Sequence, residues 1–126
     1  MDTLSPNQGL WWQAFWTLKQ KWYLAEDLVY EYYRKQGFLL HWKNYTIRGW
    51  ELDLIMSNDT TWLFVEVKCI DGIDDIHNHI KLSKIKAIQR TIDSYFYLHS
   101  QWDKTIMLEF VYVKYGMIYG VYPYEL

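Results

Sequence analysis

Four charged side chains stand inside two short apolar runs, Glu51-Leu52-Asp53-Leu54-Ile55 and Phe64-Val65-Glu66-Val67-Lys68. Side chains alternate faces along a strand, so the spacing predicts Glu51 with Asp53 on one face and Glu66 with Lys68 on one face. Leu52, Leu54, Val65 and Val67 then point the other way. Three carboxylates and an ammonium can meet in this arrangement. Runs such as Leu63-Phe64-Val65 read as strands buried on both faces, where an unpaired charge costs on the order of several kcal/mol. Such charges need partners, a metal or a function. Magnesium takes oxygen ligands from one or two carboxylates, waters and a substrate phosphate, and Asp53 and Glu66 on adjacent strands are suited to supply them. Lys68 would stand beside an attacking water, placed to orient it, ease its deprotonation or stabilise charge building on phosphorus. The structural alternative is a cross-strand ion-pair cluster that protects exposed strands from aggregation.

The elements that must position these groups are legible from periodicity. Ser5-Pro6-Asn7-Gln8 has the form of a helix start and Gly37 of a helix stop. Between them Trp11, Phe15, Leu18, Trp22, Ala25, Val29 and Tyr32 follow one helical face, with Gly9 allowing a break and a second helix from about Thr17 to Gln36. Phe38 to Thr46, Glu51 to Met56 and Thr61 to Lys68 read as three strands, the last two joined by the turn Ser57-Asn58-Asp59-Thr60. A loop around Asp71-Gly72 precedes a helix from Ile80 to Ser100, with Leu82, Ile85, Ile88, Ile92 and Phe96 inward and Lys81, Lys84, Lys86 and Arg90 outward. Ile106 to Val113 and Met117 to Tyr122, divided by Tyr115-Gly116, complete the chain. The order αβββαββ predicts an α/β fold: a mixed five-stranded sheet with flanking helices.

The 126 residues fit one domain, 1–126, with an aromatic helical extension over about 1–20. A hydrophobic fraction of 51% and an aromatic fraction of 20% exclude a disordered chain and put large side chains at the surface or in an interface. The start lacks a signal-peptide pattern, and no stretch approaches the ~18 uninterrupted apolar residues of a membrane span. With a single cysteine, Cys69, which fits a small packing residue, these features lead us to expect a cytoplasmic protein. Net charge is −2, so any nucleic-acid surface must be local.

Asp53, then Glu66-Val67-Lys68, on paired strands after a helix bearing Glu26, resembles the PD-(D/E)xK nuclease superfamily of restriction endonuclease-like fold. More closely, the chain is similar to the YraN family of small bacterial proteins related to archaeal Holliday junction resolvases. The resemblance runs from about Tyr23 to Tyr122. It rests on Ala25-Glu26, Gly37, Asn44, the Glu51 to Ile55 and Phe64 to Lys68 segments, Lys84 and Tyr95. It implies a metal-dependent endonuclease that hydrolyses DNA phosphodiester bonds, on branched or structured DNA in recombination or repair. Asp53 and Glu66 would bind Mg²⁺, or Mn²⁺ in its place, with Glu26, Glu51 and the Val67 backbone carbonyl completing the shell, and Lys68 would act on the water. Trp50 stands where relatives have glycine, and Cys69-Ile70 where they have a Thr-Arg pair.

Glu26 also lies on the stripe Trp12, Trp16, Lys19, Tyr23, Glu26, Tyr30 beside the core face, facing the sheet rather than bulk water. Lys81, Lys84, Lys86 and Arg90 are candidate DNA-phosphate contacts or a solvated face. His77 and His79 near Asp74 lack a convincing zinc ligand set. Trp12, Trp16 and Tyr23 could stack on unpaired bases, line a homodimer interface or meet a membrane surface. The competing function is a catalytically inactive DNA- or protein-binding module on the same fold.

Overall fold

The computed structural model describes residues 18–47, 50–70, 82–99 and 103–125. The elements are α1 (Leu18–Arg34), β1 (Leu39–Ile47), β2 (Trp50–Ser57), β3 (Thr61–Cys69), α2 (Leu82–His99), β4 (Thr105–Lys114) and β5 (Met117–Tyr124). Element order and types match the sequence expectation. The Ser5-Pro6 helix start, Trp11, Trp12, Phe15, Trp16, His77, His79 and Lys81 lie outside the described residues.

The strands form one sheet in the order β1-β2-β3-β4-β5. β3 and β4 run parallel, and the other neighbours are antiparallel. A parallel pair needs a crossover, and α2 lies in the chain between β3 and β4. The two helices cover opposite faces. Ala25, Val29 and Tyr33 of α1 pack with Leu54, Met56, Val65, Val67, Val111 and Val113, while Ile85, Ile88, Ile92, Tyr95 and Phe96 of α2 pack with Leu52, Trp62, Phe64 and Phe110. The central strands are therefore buried on both sides, as the apolar run through Phe64 requires. This mixed sheet between two helices is consistent with the restriction endonuclease-like fold.

Local chemistry fixes the connections. Gly37, at φ 96°, ends α1: its N–H donates to Arg34 O at 3.0 Å, and Phe38 N–H to Tyr33 O at 3.2 Å. With the Tyr33 and Phe38 rings 5.9 Å apart, this is a Schellman cap with its apolar contact. Asn58 Oδ1 accepts from the Thr60 and Thr61 N–H groups and closes the β2–β3 turn. Tyr115 and Gly116 both have positive φ, as a two-residue hairpin turn between β4 and β5 demands.

Three expectations about side-chain direction are corrected. The inner face of α1 ends on Tyr33, 2% exposed, and not on Tyr32, 38% exposed. The buried series Ala25, Val29, Tyr33 advances by four, and the Tyr33 hydroxyl is drawn in by Glu109 Oε1 at 2.5 Å. Leu52 and Leu54 do not share a face: Leu52 joins the α2 side and Leu54 the α1 side. Alternation breaks across Asp53, which lies opposite Asn44, a residue with a φ of 51°. Lys84 is not on the outer face of α2. It shares the stripe Ile88, Thr91, Tyr95, and points into the site described below.

Candidate metal centre

The site lies where β2 and β3 part. Their pairing runs from Ser57↔Trp62 to Leu54↔Val65 and goes no further. Side chains take over the vacated backbone groups. Asp53 Oδ2 accepts from Val67 N–H at 2.7 Å, and Asp53 N–H donates to Glu66 Oε1 at 3.3 Å. Two carboxylates are thus held in the gap by the same defect that ends the ladder. In a strand the N–H and C=O of one residue leave by the same edge, so the Val67 carbonyl also opens onto this gap.

Glu26 reaches the gap from α1. Carboxylate oxygens of Glu26, Glu51 and Asp53 lie within 4.8 Å of one another. Asn44 bridges the first two. With its amide oriented to satisfy donors and acceptors, the nitrogen is 3.0 Å from Glu26 Oε2 and 3.1 Å from Glu51 Oε1. The Trp22 side chain adds a hydrogen bond to Glu26. On the far side Lys84 Nζ is 3.1 Å from Glu66 Oε2. Lys68 leaves β3 on the same face as Glu66, partly exposed, and its charge acts on Glu66.

Glu26, Asp53 and Glu66 are each 3% exposed or less, whereas Glu51 is exposed. Burial sets their electrostatics. Desolvation, then the neighbouring Glu66 carboxylate, push Asp53 up to about 8. Desolvation also raises Glu66 above the ordinary carboxylate range, opposed by Lys84 and Lys68. Glu26 is raised by the same cause, opposed by the Asn44 and Trp22 hydrogen bonds. Among the described residues neither Glu26 nor Asp53 has a Lys or Arg ion pair. A hard divalent cation fits this set of oxygen donors, three of them buried and two of those, Glu26 and Asp53, without a basic ion pair among the described residues.

Of the residues named from sequence, Glu26, Glu51 and Asp53 share one cluster, while Glu66, Lys68 and the Val67 backbone border it through the Asp53 backbone and carboxylate. Glu51, although exposed, keeps a carboxylate oxygen within 4.8 Å of both Glu26 and Asp53. Lys84 joins this group, while Lys86 and Arg90 stay exposed on α2. Sequence reasoning put Trp22 in the core and gave Asn44 no role. Asn44 had a signal: an amide interrupts an otherwise apolar and aromatic strand, and asparagine tolerates the left-handed conformation found there.

Residues 25–115 match the family model described as "Uncharacterised protein family UPF0102", a span that contains every carboxylate of the site. A UPF0102 protein of Carboxydothermus hydrogenoformans is 33% identical over 90 residues, 67% of this chain and 74% of its own length. One of Helicobacter hepaticus is 35% identical over 75 residues, 60% of this chain and 67% of its own. One of Thermotoga neapolitana is 31% identical over 74 residues, 59% and 69%. The chain belongs to the UPF0102, or YraN, family, and its fold and site are consistent with that family's place among the PD-(D/E)xK nucleases.

Proposed function

We propose that this protein is a Mg²⁺-dependent endonuclease that hydrolyses DNA phosphodiester bonds, with branched or structured DNA as its substrate class. The observation that carries the reading is the convergence of Glu26, Glu51 and Asp53 oxygens within 4.8 Å of one another, with Glu66 held 3.3 Å from the Asp53 N–H, at the point where β2 and β3 part. Asp53 and Glu66 would hold the ion, with Glu26, Glu51 and the Val67 carbonyl completing the oxygen set. Mn²⁺ would take its place. The ion, when bound, supplies Lewis-acid stabilisation of the phosphate and a lowered pKa for water. Lys68, partly exposed beside Glu66, orients the attacking water and offsets the negative charge that builds on the phosphate oxygens. Lys84 neutralises Glu66, and exposed Lys86 and Arg90 offer phosphate contacts from α2.

A second reading, an inactive binding module, draws on the Lys84–Glu66 ion pair, which satisfies one carboxylate without any metal. The two separate in a cleavage assay on linear, flapped and four-way DNA with Mg²⁺ or Mn²⁺. The nuclease reading predicts metal-dependent products that disappear in Asp53→Asn and Lys68→Met. Products unchanged in both variants would remove the assignment.

A further inference from the structure

A cleft of about 760 Å³ opens directly beside the carboxylates, lined by Lys19, Trp22, Tyr23, Asn44, Glu51 and Cys69. Its volume lies in the range of about 300–1,000 Å³ typical of small-ligand pockets. Its composition is specific: two aromatic rings from one turn of α1, one ammonium, one amide, one carboxylate and one cysteine. Tyr23 is 49% exposed, and Lys19 Nζ stands 5.7 Å from its ring centroid, one helical turn earlier. Trp22 lines the cleft wall one helical turn before Glu26, at the edge of the acidic cluster. Asn44 spends its N–H donors on Glu26 and Glu51.

We propose that this cleft takes an unpaired nucleobase, that of a nucleotide flanking the bond to be cut. The inference rests on the nuclease reading and names the feature of DNA that the site selects. An apolar ligand would have no use for Lys19 or for the carboxylate of Glu51. A free anion would meet Glu51 and the acidic cluster beyond it. A planar base offers a π-face to Trp22 and Tyr23 and edge donors to Glu51, and Lys19 can meet a phosphate of the same strand. Glu51 lines the cleft and also lies within 4.8 Å of Glu26 and Asp53, so a base seated there holds its strand beside the carboxylates. A base inside a duplex is stacked on both faces and cannot enter. Flaps, junction branch points and single strands supply the free base, at an unstacking cost already met.

The test is fluorescence anisotropy in EDTA, with a labelled single-stranded oligonucleotide and the same sequence as a duplex, followed by cleavage of flapped and linear DNA with Mg²⁺. The wild type should bind the single strand more tightly. Stacking on an aromatic side chain is worth about ten-fold or more per base, so Trp22→Leu and Tyr23→Leu should each bring the single-strand to duplex ratio down by about that factor. Tyr23→Leu changes a half-exposed residue, and circular dichroism verifies that each variant is folded. A wild-type ratio near one, or a ratio unchanged in folded Tyr23→Leu and Trp22→Leu, overturns the inference even if the enzyme cuts. A single-strand preference lost in these variants, without cleavage by any form, supports the cleft and removes the nuclease reading alone.

Discussion

Replacing Asp53 by asparagine tests the electrostatics of the site without any ligand. The carboxyl titrates near 3.8 when unperturbed and near 8 in the fold, raised first by desolvation and then by Glu66. Between those values the folded chain binds more protons than the unfolded one. Stability therefore falls as pH rises through that window, is free of the penalty below it and carries all of it above. Each pH unit is worth roughly 1.4 kcal/mol, so a span of about four units bounds the penalty near 6 kcal/mol, shared with Glu66 and Glu26. Asparagine is always neutral. Its Oδ1 can still accept from Val67 N–H, now at 2.7 Å, while its amide donates to a neighbouring carboxylate. Thermal unfolding in EDTA from pH 4 to pH 9 should show Asp53→Asn close to the wild type at pH 4. At pH 9 it should be more stable by at least about 1–2 kcal/mol, some 5 °C in Tm for a domain of this size. Parallel curves across the range, or a variant less stable at pH 9, would refute the assignment of the penalty to Asp53.

Lys84→Met leaves Glu66 buried without its ion pair. A loss of about 1 kcal/mol is expected at pH 8, moderated by the half-open setting of the lysine and shrinking toward lower pH because burial raises Glu66 above the ordinary carboxylate range; urea unfolding at pH 8 and at acid pH checks it. Tyr33→Phe removes the hydroxyl that donates to Glu109 and should cost about 2 kcal/mol in the same assay. Gly37→Ala meets nothing within 4 Å, so its cost of about 1 kcal/mol comes from the left-handed backbone alone. Gly37→Asn should lose less, since asparagine tolerates that conformation.

Most of the architecture was legible because its signals are local. Apolar period, the Gly37 stop, the Asn58 turn and the Tyr115-Gly116 hairpin each specify their element without reference to distant residues. Asp53, Glu66 and Lys68 stood out because charges inside buried runs need a reason. What stayed hidden depends on three dimensions. Strict alternation placed Leu52 with Leu54, but the gap that admits the carboxylates breaks that alternation. A lysine on a basic helix reads as solvated, yet Lys84 sits above Ile88 and finds Glu66, a partner from another element. Trp22 fitted an apolar stripe, and only the placement of Asn44 and Glu51 across from it turns that stripe into the wall of a cleft.

The central claim is that Glu26, Glu51, Asp53 and Glu66 form a divalent-cation site. Calorimetric titration of the folded protein with Mn²⁺ at pH 8, beside Asp53→Asn and Glu66→Gln, tests it most directly. A saturable binding heat is expected in the wild type, accompanied by proton release as Asp53 ionises, and its loss in both variants. No saturable heat in the wild type, or the same heat in all three proteins, would contradict it.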